Sequence, residues 1–475
     1  MAQMERAQSK VYNEINEFSF MKESFRNYIV LACFFAVFVL VVAKGVTHAQ
    51  LGDENIYYYA GKLISEGKAP YRDFFHAHPP LQIYILSVLY KAFGFNIIAF
   101  KILPLVSTLV SAFFIFRICQ IRFDKLTAIL SAALFLFSYT LMFNSVLGFG
   151  VEIATMFLTI GIFLYFSDKK AYAGIFFGLA ASTRLLALIP IFAVFLYSFF
   201  SEKKGFYRLI VSFFSIFLII NLLFILIAGK AYIFDVYKYH LMKTPSNEEK
   251  FSEYWNTLKL NWIVSVSFLA FAFAKDRKKA ILFFLAPVFY LIFLLSLRKI
   301  FAYYFFVIMP FAAIVGAYSL AGIIKRIRAD FVRKIIVAII IGIFAWDLSS
   351  NIIFLQKEGF AGISRLQTMK EFVLEKTGKD AKIFGDDSIV PLLALETKRQ
   401  IAFDIVDTNP QAFSSGLVKI EEVLEKIRKN GALFVVRNKQ GISSIREVQN
   451  FLNTKCGFVS SFHDKKEGDF LFYSC

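Results

Sequence analysis

Between residues 49 and 80 the chain reads AQLGDENIYYYAGKLISEGKAPYRDFFHAHPP, which gathers Asp53, Glu54, Arg72, Asp73, His76 and His78 between two strongly apolar regions. Carboxylates and imidazoles move protons, and a guanidinium neutralises phosphate. The stretch therefore reads as a reaction site anchored at a membrane surface. Three more ionisable groups stand in apolar surroundings: Glu152 at the start of an apolar run, Arg184 inside GLAASTRLLALIP, and His240 in GKAYIFDVYKYHLMKTPSNEEKFSEYW. Ionisable side chains at membrane depth are costly and usually face a cavity or a partner. Each has a plainer alternative. Asp53 could cap the helix that follows, Glu54 could be an ordinary first-turn acid, and Glu152 could cap its own span. Arg184 could snorkel, the histidines could bond within loops, Arg298 and Lys299 could anchor a span end, and Tyr303 and Tyr304 could form an aromatic belt.

The elements that must position these groups are membrane helices. Of 475 residues, 58% are hydrophobic and 60 are Phe, well above the composition of a soluble globular chain. The formal charge of +18 comes from 53 Lys and Arg against 35 Asp and Glu, and residues 355–475 hold 18 and 16 of these, leaving 35 against 19 for the rest. The excess sits in short loops between apolar runs, which is the pattern of topogenic charge facing the cytoplasm and not of nucleic-acid binding. No cleavable signal pattern precedes the first apolar run, so insertion is expected through the first span.

Spans are expected near residues 28–46, 99–118, 126–145, 150–167, 207–228, 261–274, 280–297, 302–323 and 335–355. The segment from Pro80 to Gly94 is too short to cross and is expected as an interfacial helix. Ile56, Tyr59, Ala60, Leu63 and Ile64 recur at helical spacing opposite Asn55, Lys62 and Glu66, predicting a second amphipathic helix in the interface. Residues 171–200 carry basic pairs at both flanks and Arg184 near the middle; a hairpin of two short helices keeps both flanks on one side. Counting it so gives about eleven spans and places 21 Lys and Arg on one face, among them Arg6, Lys10, Lys22, Arg117, Lys169, Lys203, Lys275 and Lys325. The expected organisation is a cytoplasmic segment 1–27, a transmembrane unit 28–355 whose first extracytoplasmic loop is 49–98, and an extracytoplasmic unit 356–475.

Past residue 355 charges of both signs intersperse. AKIFG, RQIAFDI, ALFVVR, CGFVSSF and GDFLFYSC read as short strands separated by helical patterns, which predicts a small α/β domain with a mainly parallel sheet and a terminal antiparallel hairpin. Pairing Phe462 with Asp469 would bring Cys456 opposite Cys475, so a disulfide and two free cysteines both remain open. No phosphate-binding Gly-rich fingerprint occurs in this part.

A carboxylate at the water interface and a cation at headgroup depth suit a reaction between a lipid-borne phosphate and a hydroxyl acceptor: the acid orients or deprotonates the acceptor and the cation neutralises the departing phosphate. In GDENIYYYA, GKAPYRDF and HPPL running into YKAFG, followed by GLAASTRLLALIP and AYYFFVIMPF, the chain resembles the C-type integral-membrane glycosyltransferases related to protein O-mannosyltransferases and lipid A aminoarabinose transferases. The resemblance covers residues 28 to about 323. It implies transfer of a sugar from a polyprenyl monophosphate carrier, dolichyl or undecaprenyl, to a lipid-linked glycan, glycolipid or protein hydroxyl, with inversion. It makes Asp53 and Glu152 the catalytic acids and Arg184 a phosphate contact where a lysine is usual. Glu54, Arg72, His78, His240, Arg298 and Tyr303 are the further candidates for substrate contact. Asp53 with His78 or His240 could hold a divalent ion, but an arginine alone can serve the leaving phosphate, so no metal or other cofactor is expected to be required. The chain departs from the protein mannosyltransferases in lacking a large soluble domain inserted between spans, and its first loop has no clear D-x-D pair for an oligosaccharyltransferase-like metal site. The competing class is a transporter or flippase, which would show paired inverted repeats with broken helices in both halves.

Overall fold

A computed structural model describes residues 2–475 except 202, 243–246, 415, 417 and 418, with the backbone alone described for residues 2–24 and 247. The side chains of Arg6, Lys10 and Lys22, counted above on the basic face, lie outside the described residues. The first ten helices are α1 (Ala2–Thr47), α2 (Glu54–Ser65), α3 (Leu81–Phe93), α4 (Ile97–Arg122), α5 (Lys125–Leu136), α6 (Tyr139–Asn144), α7 (Val151–Phe166), α8 (Lys170–Thr183), α9 (Leu188–Ser201) and α10 (Phe206–Ala228). After a one-turn α11 (Lys230–Ile233) come α12 (Asn247–Leu260), α13 (Trp262–Leu269), α14 (Arg277–Ser296), α15 (Met309–Arg326) and α16 (Asp330–Phe354).

Among the described residues six stretches are long and apolar enough to cross a membrane: Phe25–Thr47, Ile97–Arg122, Phe206–Ala228, Arg277–Ser296, Ala302–Arg326 and Asp330–Gly359. The chain is a multi-pass membrane protein. The other five of the about eleven expected exist as shorter pieces. The run 126–145 breaks into α5 and α6, the run 150–167 gives the 16-residue α7, and 261–274 gives α13 and a 3-10 turn bent 85° from α12. At 1.5 Å per residue the single helices among these pieces reach about 9 to 24 Å, less than the ~30 Å hydrocarbon core. The hairpin at 171–200 does form: α8 and α9 fold back about Arg184, Phe177 and Phe195 meet at 6.4 Å, and a Cβ on Gly205 would lie 2.9 Å from Lys170.

The helix α3 begins after Pro80 and ends at Gly94, as the punctuation predicts. For α2 the structure departs from an open amphipathic helix. Residues Glu54 to Leu63 are all buried, Asn55 and Lys62 of the supposed water face included, and only Glu66 of that face is exposed. The reason is tertiary: residues beyond 362 pack over it, so Tyr59, Leu63 and Leu86 share one apolar core with Met369, Leu392 and Val406. Asn55 donates to Ser388 O at 3.1 Å, and the Ile401 N–H donates to the Tyr59 hydroxyl at 2.9 Å.

That covering part contains α17 (Leu366–Lys376), α18 (Val390–Thr397), α19 (Pro410–Ser414), α20 (Ile420–Asn430) and α21 (Arg446–Lys455) around strands β1 (Lys382–Gly385), β2 (Gln400–Ile401), β3 (Leu433–Arg437), β4 (Gly457–Asp464) and β5 (Gly468–Ser474). The sheet order is β2-β1-β3-β5-β4, parallel across the first three strands and antiparallel across the last three. Gly457 pairs with Ser474, but an irregularity between Phe458 and Ser460 shifts the register by one, so Phe462 faces Phe470 and not Asp469. Such a bulge leaves the cysteine end of the ladder untouched, and Cys456 and Cys475 form a disulfide. Because that bond closes a loop of 19 residues, its loss through Cys456→Ser with Cys475→Ser should destabilise this part by about 3 kcal/mol. Thermal unfolding with and without reductant should show the same decrease in the native chain and no reductant effect in the double variant.

Candidate active site

Asp53 stands immediately before α2, yet its side chain does not cap the helix. It lines a cleft of about 730 Å³ that opens between the helical part and the sheet part, together with Tyr57, His76, His78, Tyr239, His240, Lys299 and Tyr303. The sheet part adds Asp387, Asp407, Asn409 and Gln411 to the cleft wall. Adjoining it is a groove of about 1030 Å³, lined largely by Leu185, Leu188, Ile189, Val236, Leu241, Phe293 and Leu297. Arg184, Arg298 and Lys299 supply its cations, and His78, His240, Lys299 and Tyr303 border both spaces. The first space is polar and acidic. The second is apolar with cations at its polar end.

Arg184 is 2% exposed and sits where α8 has just ended in an extended residue. Its Nη2 donates to Gln82 Oε1 at 2.9 Å and to the Phe149 carbonyl, and its guanidinium lies 4.8 Å from the centre of the Tyr57 ring. Nε and Nη1 have no hydrogen-bond partner among the described residues. The loop GFG makes this approach possible. Gly150 has φ +81°, and a Cβ there would lie 2.3 Å from Gln82 Oε1 and 3.0 Å from Arg184 Nε, so only glycine fits both the backbone and the space. Phe149 in turn stacks on Tyr303 at 4.5 Å. Glu152 is fully buried in the first turn of α7, within electrostatic reach of Arg184 and Glu54, and caps nothing.

Glu152 lines neither space, and two more of the sequence candidates, Glu54 and Arg72, also lie elsewhere. Glu54 is 1% exposed and turned away from the cleft: Lys101 of α4 lies 3.1 Å away, and the Tyr58 hydroxyl and the Gly148 N–H donate to it at 2.8 and 3.0 Å. This pair clamps α2 to α4 and to the GFG loop. Breaking it leaves a buried charge without compensation, so Lys101→Met should lower stability by about 3–5 kcal/mol, read from thermal unfolding in detergent. Arg72 is exposed and pairs with its own neighbour Asp73 at 2.8 Å, outside both spaces. That contact holds the Asp73 carboxyl down to about 2.

The histidines form one group. His78 stacks on His240 at 5.1 Å, His240 Nε2 donates to the Ala77 carbonyl at 2.6 Å, and Tyr71 donates to the His78 carbonyl at 2.7 Å. His76 is 2% exposed, and burial beside Arg184 and His240 pushes its pKa down to about 3, so it is neutral at ordinary pH. Its backbone N–H donates to Asp235, whose carboxyl burial raises to about 7. Among the described residues no three His, Cys, Asp or Glu side chains converge on an ion-sized site.

Asp387, Asp407, Asn409 and Gln411 are absent from the sequence candidates. Asp387 follows β1, and Asp407, Asn409 and Gln411 lie in the segment that runs from β2 into α19, at the carboxyl ends of parallel strands, where open α/β sheets place their ligands. The run GDDS directly after AKIFG was the available signal. Burial, and then the nearby carboxylates of Asp407, Asp386 and Asp53, push the Asp387 carboxyl well above the usual range.

The family model for dolichyl-phosphate-mannose-protein mannosyltransferase matches residues 77–231, which include His78, Glu152 and Arg184. The fold superposes on ArnT from Cupriavidus metallidurans bound to undecaprenyl phosphate with a TM-score of 0.68, covering 93% of this chain and 97% of that one at 13% identity. The chain is similar to that family in part of its sequence and shares the ArnT fold. The oligosaccharyltransferase AglB from Archaeoglobus fulgidus, in complex with an inhibitory peptide and a dolichol-phosphate, superposes with a TM-score of 0.63 over 94% of this chain and 74% of its own, at 11% identity. In sequence, GPI mannosyltransferase 1 of Dictyostelium discoideum is 25% identical over 304 residues, 54% of this chain and 65% of that relative's length.

Proposed function

We propose that this protein is a glycosyltransferase that moves a sugar from a polyprenyl monophosphate carrier to a hydroxyl acceptor on the extracytoplasmic face, with inversion. The observation that carries the reading is the meeting of the two spaces: an apolar groove with Arg184, Arg298 and Lys299 at its polar end opens beside the cleft that holds Asp53. The prenyl chain fits the groove and its phosphate fits the cations. The acceptor oxygen, entering from the cleft, attacks the anomeric carbon, and its proton passes to Asp53. The bond from that carbon to the phosphate oxygen breaks on the opposite side, and the leaving polyprenyl phosphate keeps the electron pair. Arg184, with two N–H groups still to be bonded among the described residues, is placed to stabilise the growing negative charge. Attack opposite the leaving group inverts the centre. This chemistry supports His78 and His240 at the shared border as groups that orient the sugar, and Glu152 as the fixed counter-charge that orients Arg184.

The test is to incubate purified protein with dolichyl- and undecaprenyl-phosphate sugars and membrane extract, and to identify the product and its anomeric configuration by mass spectrometry and NMR. A product with inverted configuration and release of the polyprenyl monophosphate is expected. A retained configuration, or no consumption of any donor in the panel, refutes the reading. The basic-side count supports the face assigned, and labelling of a single cysteine introduced at Lys439 in sealed vesicles checks it.

A further inference from the structure

The segments after β1 and β2 present to the cleft a set of side chains with no part in holding a phosphate. Asp387 and Asp407 face the same space as Asp53, and amides come from Asn409 and Gln411. Aromatic walls are supplied by Phe301 and Tyr239; Phe301 stacks with Tyr303 at an interplanar angle of 9°. The scaffold behind them is rigid. Gly385 at φ +141° brings the chain so close to β3 that a Cβ would lie 1.7 Å from Val435 O. Asp386 anchors the first segment through Ser388 N at 3.0 Å and Arg437 at 3.3 Å, and Thr408 ties the second to Gly385 O at 2.6 Å. The Asp407 and Asn409 side chains accept the N–H groups of Asn409 and Gln411, each at 3.1 Å. Two polar groups in the cleft wall still await a partner among the described residues: Nε2 of His76, a residue only 2% exposed, and Nε2 of Gln411.

Carboxylates accept hydrogen bonds and cannot donate them, whereas amides do both. Asp53 and Asp407 in one low-dielectric cleft disfavour a phosphate, and with the Asp387 carboxyl they pair well with hydroxyl groups, while aromatic faces cover the apolar C–H surfaces of a sugar ring. The cations face the adjoining groove, and Lys299 alone of them borders both spaces. Donor and acceptor are thus sorted by charge.

We infer that Asp387, Asp407, Asn409 and Gln411 form an acceptor subsite for an uncharged saccharide, so that the sugar is transferred to a glycan hydroxyl and not to a phosphate. This rests on the proposed transfer from a lipid-phosphate donor and adds the acceptor class to it.

The experiment measures initial rates for the full chain in detergent, with the donor fixed as the polyprenyl-phosphate sugar that membrane extract consumes. The acceptors are octyl glycosides of several neutral hexoses and pentoses, the 6-phosphates of the hexosides, and a serine- and threonine-containing peptide. A neutral glycoside should be used at least about 10-fold better than its phosphate. Asn409→Ala and Gln411→Ala should each raise the acceptor KM about 10-fold, the loss expected for a hydrogen bond in a charged setting, and leave the donor KM unchanged. Asp407→Asn should narrow the discrimination against the phosphate. Thermal unfolding of each variant checks that the sheet part is intact. Preference for the phosphorylated acceptor or the peptide, or intact variants with an unchanged acceptor KM, overturns the subsite while leaving donor chemistry in place. Failure to consume any donor refutes the transfer itself.

Discussion

Asp53→Asn should lower sugar transfer about 1000-fold and leave binding of the donor lipid nearly unchanged. The expected size follows from what a positioned general base contributes. The substitution is nearly isosteric, and the Asp53 side chain does not cap α2, so the helix loses no cap. The clamp that sets the position of α2 is Glu54 with Lys101, Tyr58 and Gly148, and it is untouched. The cations of the donor groove are elsewhere, on the α8–α9 turn and near residue 298. A kinetic defect without a binding defect is therefore the signature. The check combines turnover of labelled donor with the thermal shift produced by polyprenyl phosphate; near-normal turnover would remove Asp53 from the chemistry.

Arg184 should behave differently. Arg184→Ala removes a buried guanidinium held by Gln82, the Phe149 carbonyl and the Tyr57 face, and it strips Glu152 of its nearby cation. Two losses are expected together. Stability should fall by about 1–3 kcal/mol, since Gln82 Oε1 and the Phe149 carbonyl lose their buried donor. Donor kcat/KM should fall about 100-fold or more, since the growing phosphate charge loses a preorganised donor. Arg184→Lys separates the two. It keeps a buried donor for Gln82 and Phe149, so most of the stability should return, but an ammonium cannot hold Gln82, Phe149 and a phosphate at once, so only part of the donor kcat/KM should be regained. Rates as a function of donor concentration, alongside melting curves of both variants, provide the measurement. An unchanged donor dependence in a folded Arg184→Ala protein would argue against the phosphate contact.

These two residues also show why position in the chain and role differ. Asp53 and Glu54 are neighbours of the same chemical type, yet one faces the cleft and the other is sealed against Lys101. A helix of 3.6 residues per turn points successive side chains about 100° apart, so adjacency in sequence guarantees divergence in space. Arg72 has the right charge for a phosphate, but its loop is satisfied locally by Asp73. Arg184 has no carboxylate on its own hairpin, and its surroundings are supplied by α3, by the GFG loop and by α7.

Much was determined by the sequence alone. Long apolar runs fix the membrane helices, because a buried backbone in lipid must bond to itself. Pro80 and Gly94 punctuate α3, alternating strand and helix patterns fix the mixed sheet, and an isolated arginine among apolar residues marks Arg184, because such a charge requires a partner. Tertiary structure alone decided the rest. Whether an apolar run stays one helix or breaks into α5 and α6 depends on what packs beside it. Whether α2 faces water depends on a tail 300 residues away in the chain. The roof over Asp53 comes from two segments whose residues are ordinary loop residues until the sheet brings them over α2. Local sequence encodes period and burial, and only long-range packing decides which polar groups share a space.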